Sequence, residues 1–166
     1  MINDEYKKED FEKLVERLRG EKGADLSMAE DLSLAVMNLI SLEEHFFFTG
    51  EKTGKPDYFE TSKEIRQIRK EAMEQLVPKH EGETWCSTKH LLAGTMRLIE
   101  VANRFQAEGE KEKAKEMYDR AYRLYSVFWA LRLKLISVEP AKSDIQKSDD
   151  WSVEDITNKL ADCCRE

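Results

Sequence analysis

The stretch Leu98–Tyr125, LIEVANRFQAEGEKEKAKEMYDRAYRLY, decides the fold. Leu98, Val101, Ala102 and Phe105 recur at helical spacing before Gly109, and Ala114, Tyr118 and Ala121 recur at helical spacing after it. A glycine between two such runs predicts a stop and a reversal, because it enters the left-handed region without a Cβ penalty. Ala102, Ala114 and Ala121 are small enough to let two antiparallel helices approach closely. Phe105 and Tyr118 would fill the space between them. The segment therefore predicts a helical hairpin.

The same spacing resembles a single tetratricopeptide repeat. Leu98, Val101, Ala102 and Phe105 stand where that family has Trp-x₂-Leu-Gly-x₂-Tyr, and Ala114-x₃-Tyr118 and Ala121 follow where its second helix has Ala and Phe. Leu98 replaces the Trp, and Ser126 stands in place of the closing Pro. An array of such repeats needs at least three to bury its stacked faces. No second copy of this quality is present, so the resemblance implies one hairpin within a larger bundle and not a peptide-binding groove. A weaker echo places Leu39, Ile40, Phe46 and Gly50 at the same mutual spacing as Leu98, Ile99, Phe105 and Gly109.

Outward from the hairpin, every further periodic segment is also helical. Asn3 or Asp4 can cap a first charged helix with Tyr6, Phe11, Leu14, Val15 and Leu18 on one face, ended by Gly20 and Gly23. Ser27 with Glu30 forms a capping box for a second helix, with Leu32, Val36, Leu39, Ile40 and Phe47 inward and its end near Gly50. Pro56 or Asp57 starts a third, with Phe59, Ile65, Ile68, Ala72 and Leu76 inward, stopped by Pro78. The expected fold is all-α, an up-down antiparallel four-helix bundle of helices at about 27–50, 57–77, 84–108 and 110–137. An extra N-terminal helix would pack across it. Residues 1–138 would form the bundle domain, and 139–166 a linker with a short C-terminal helix around Val153, Ile156 and Leu160.

Composition bounds the function. The chain has 166 residues, a length for one domain with a sizeable core, and 37% are charged, with a net charge of −7. That acidity argues against a general nucleic-acid or anionic-membrane surface. The acidic opening Met1–Glu5 has no apolar core for a secretory signal, and three cysteines, two of them adjacent, do not build a disulfide framework. A cytoplasmic location is expected. Glu-x-x-His pairs, His-Glu-x-x-His, Cys-x-x-Cys and phosphate-binding glycine loops are all missing from the sequence, so no cofactor is implied.

Two groups of residues could carry chemistry. Glu83, Cys86 and His90 recur along one helical face, and with Glu44 and His45 they have the ligand types of a zinc or iron site. Up-down topology sets the two halves roughly 20 Å apart, at about 1.5 Å per residue. The second group is a layer at one depth of the bundle, comprising Glu43, Glu44, Arg66, Arg69, Arg97, Glu100 and Tyr122. It would serve either as interhelical ion pairs or, through its arginines, as a site for a small anionic ligand or phosphate. Consecutive Phe46, Phe47 and Phe48 cannot all face one core, since neighbours differ by about 100° around a helix. At least one should contact the first helix or a partner. The reading is a self-associating interaction or scaffold module, a homo-oligomer or a protein's partner. The alternative is a small-ligand- or metal-binding bundle. No nucleophile, base and orienter come together, so no catalytic residue is assigned.

Overall fold

The computed structural model describes residues 26–77 and 83–135, together with Lys13 and Glu16. The chain is all-α, with helices α1 (Leu26–Thr53), α2 (Asp57–Leu76), α3 (Glu83–Ala107) and α4 (Lys111–Arg132), and no strand among the described residues. None of these helices is long and apolar enough to cross a membrane. The expected N-terminal helix, the linker, the short C-terminal helix and the boundary at residue 138 lie outside the described residues.

Local chemistry sets the helix ends. Gly50, expected as the end of its helix, is instead helical and buried, because the ring of Phe59 lies over it at 2.7 Å from where a Cβ would stand. Gly54 is the actual stop: at φ 66° its N–H donates to the Gly50 carbonyl (2.8 Å), and Pro56 is the N-cap residue of α2. At Gly109 (φ 80°) the chain reverses in a Schellman turn. There the Glu110 N–H donates to the Phe105 carbonyl (2.9 Å) and the Gly109 N–H to the Gln106 carbonyl (3.1 Å). The same pair of bonds closes α4, from Leu135 to Ala130 (2.8 Å) and from Lys134 to Leu131 (3.0 Å). Lys134 takes the left-handed position there at φ 57°, so α4 stops short of the expected residue 137.

Packing follows from which side chains are small and which are apolar. In the hairpin of α3 and α4, Ala102, Ala114 and Ala121 are buried, as the close approach of two helices requires, and the Tyr118 hydroxyl donates to Asn103 Oδ1 (2.7 Å). In the hairpin of α1 and α2, Phe46 meets Tyr58 with ring centroids 5.9 Å apart. Backbone contact is closest within the two hairpins and next between α1 and α3. Ala29, Val36 and Met37 of α1, Met73 and Leu76 of α2, Trp85 and Leu92 of α3, and Phe128 of α4 form one core. A hydrogen bond of 2.8 Å between Ser33 and the Tyr125 hydroxyl ties α1 to α4. On the outer face of α4, Lys115 donates to Asp119 (2.6 Å), and that bond holds the ammonium above its ordinary pKa.

Three inward assignments are corrected, those of Phe47, Ile68 and Phe59, the last being 39% exposed. On α2 the buried positions are Ile65, Arg69, Met73 and Leu76, whereas Ile68 is 55% exposed. On α1, Phe47 is 49% exposed, and Phe48 beside it is 57% exposed.

Candidate functional site

α2 and α3 follow one another in the chain yet make little backbone contact, and the space between them is a groove of about 550 Å³ floored by α1. α1 contributes Ile40, Glu43, Glu44 and Phe47; α2 contributes Phe59, Ser62, Lys63, Arg66 and Arg69. Lys89, His90 and Ala93 of α3 form the opposite wall.

The deepest charged group is Arg69, which is 2% exposed and donates its Nε to Glu43 Oε1 at 2.5 Å. Its Nη1 reaches Met73 Sδ at 3.5 Å. The second oxygen of Glu43 accepts from Nε of Arg66 at 3.1 Å, so one carboxylate bridges two guanidinium groups. Burial makes this pairing obligatory, since an uncompensated charge at such a depth costs several kcal/mol. Arg97 reaches back from α3 to Glu44 and to the Ser41 hydroxyl (3.3 Å). Both partners of that ion pair are about half exposed, and it sits at the surface.

The structure brings together Glu43, Glu44, Arg66 and Arg69 of the layer expected from sequence, with Arg97 attached through Glu44. Glu100 is half-buried beyond Arg97 and does not line the groove. Tyr122 does not belong to the layer: it follows the buried Ala121 by one position, about 100° around α4, and is 74% exposed. Ser62 and Lys63 were absent from the layer. Their signal was present in the spacing, because Lys63 lies three residues before Arg66 and shares its face.

The candidate metal ligands differ in burial. Cys86 faces the core at 2% exposure, His90 is exposed, and Glu83 is the half-buried first residue of α3. Among the described residues no group of three or more His, Cys, Asp or Glu side chains converges to hold a metal ion. His45 is exposed on α1 with its ring edge-on to Phe46.

The groove is thus cationic: Lys63, Arg66, Arg69 and Lys89 face two carboxylates in a chain whose net charge is −7. Phe47 and Phe59 give it an apolar border. What this arrangement can do is hold anionic groups beside an aromatic or aliphatic one. No protein-family model, curated protein or solved structure matches this chain.

Proposed function

We propose that this protein is an interaction module, an up-down helical bundle that self-associates through the aromatic corner formed by Phe47 and Phe48. The observation that carries the reading is the exposure of two adjacent phenylalanines, 49% and 57%, with ring centroids 5.2 Å apart. Phe59 of α2 extends the patch at 39% exposure. Contiguous exposed apolar surface of this kind is characteristic of interfaces. The reading includes a cytoplasmic location and a protein partner, with no nucleic acid or membrane, in keeping with the acidic charge. Sedimentation velocity tests it. The wild type should show concentration-dependent dimers, and Phe47→Ser/Phe48→Ser should remain monomeric with unchanged helical content. A monomeric wild type across the accessible range overturns the reading.

The cationic groove favours a second reading, a site for an anionic ligand. Four basic side chains against two acidic ones in an acidic protein support it. Pyrophosphate should then raise the melting temperature by mass action, and Lys63→Glu/Arg66→Glu should abolish the rise.

A further inference from the structure

We infer that the anion received by this groove is carried by the chain itself, in the segment Ser148-Asp149-Asp150-Trp151. This rests on the reading of the groove as an anion site and names its occupant. The segment lies outside the described residues, and its chemistry is read from the sequence.

Chemistry matches first. The groove presents Lys63, Arg66 and Lys89 next to the ring of Phe59. Arg66 is 60% exposed and commits its Nε to Glu43. Two adjacent carboxylates followed by an indole supply what such a surface binds: charge for the cations and a flat apolar ring for the aromatic border. Charge distribution points the same way. Residues 139–166 hold eight acidic and four basic side chains, so a net −4 of the chain's −7 lies in this tail. One other stretch has a similar order, Glu9-Asp10-Phe11, but Lys7, Lys8 and Lys13 offset its charge.

Reach is sufficient. Leu131, the penultimate residue of α4, lines a hollow with Ser87 and His90, and His90 is also a wall of the groove. The chain turns at Lys134 toward the opposite flank of α4, where Leu135 lines a second hollow with Tyr122 and Trp129. Residues 136–148 then extend up to about 40 Å at ~3.3 Å per residue, against a helix diameter of about 10 Å. The tail can round α4 and enter the groove past His90.

Zero-length carbodiimide cross-linking of the full chain, prepared as an equal mixture of ¹⁴N and ¹⁵N protein, tests the occupant. The expected products are amide bonds from Lys63 or Lys89 to Asp149 or Asp150 within single copies, lost in Lys63→Glu/Arg66→Glu for the remaining Lys89. Absence of these bonds overturns the inference. So do bonds between light and heavy copies, which would assign the tail to a second molecule, and bonds to Glu9 or Asp10 in their place. Pyrophosphate titration of Asp149→Asn/Asp150→Asn/Trp151→Ala, whose changes lie outside the described residues, tests the groove separately. The half-saturating concentration should fall severalfold relative to wild type. Stabilisation equal in the two proteins, without cross-links, leaves the anion site and removes the tail. No stabilisation in either, without cross-links, removes both.

Discussion

Arg69 stands on the inward face of α2 between Ile65 and Met73, four residues from each, where an apolar side chain would ordinarily continue the stripe. It is kept there by Glu43, which also serves Arg66. The three residues are therefore not equivalent. Glu43→Leu removes the carboxylate from two guanidinium groups, one of them buried, and should destabilise by about 3–5 kcal/mol. Arg69→Met continues the apolar face and leaves Glu43 with Arg66, so its loss should be clearly smaller. Denaturant unfolding of the two variants gives the order, and a larger loss for Arg69→Met would refute this account. At Arg97 the expectation changes with exposure: a half-exposed pair with Glu44 contributes about 0–1 kcal/mol, so Arg97→Met should be nearly neutral. The periodicity of α2 puts Ile68 on the inward stripe and leaves Arg69 out of it. Arg69 and Ile68 are adjacent, and what turns the guanidinium inward is a carboxylate on another helix, which no local periodicity records.

Each hairpin is held by close approach at small residues and by a left-handed stop. Ala114 is 1% exposed and Ala121 3% exposed, facing α3. Ala114→Leu should overpack that contact and lower stability by roughly 1–3 kcal/mol, read as a fall in melting temperature. Gly109→Ala meets no heavy atom within 4 Å, so its effect is purely conformational. At φ 80° it should destabilise by roughly 1–2 kcal/mol. This turn was legible because glycine, flanking periodicity and length all agree at Gly109. The other ends were less so. Gly50 and Gly54 are four residues apart and both suit a cap, and only the ring of Phe59 from the next helix shows that Gly50 serves packing. Lys134 carries no stop signal at all, since lysine ordinarily prolongs a helix, and its turn depends on carbonyls that any helix end offers.

At the scale of the molecule, the amphipathic segments specified the four described helices without specifying all their partners. An apolar stripe records that a face is buried, not against which neighbour. Hence helices could be read from Val36 and Leu76, both now in one core, while the opening between α2 and α3 could not. That opening has a dynamic consequence. Among the described helices α2 has its main backbone contact with α1 alone, whereas α1 also packs on α3 and α3 on α4. Its first turns, through Lys63, are mostly exposed. Opening free energies follow such differences in local contact. In amide hydrogen exchange the protons of Glu60–Glu64 should therefore be lost well before those of Met37–Ser41, although the two segments belong to one hairpin. Equal protection would show that the hairpin opens only as a unit. If the slower segment proves to be α1, then α2 is a shutter on α1, and anything seated beside Arg66 would be measured first as a slowing of its exchange.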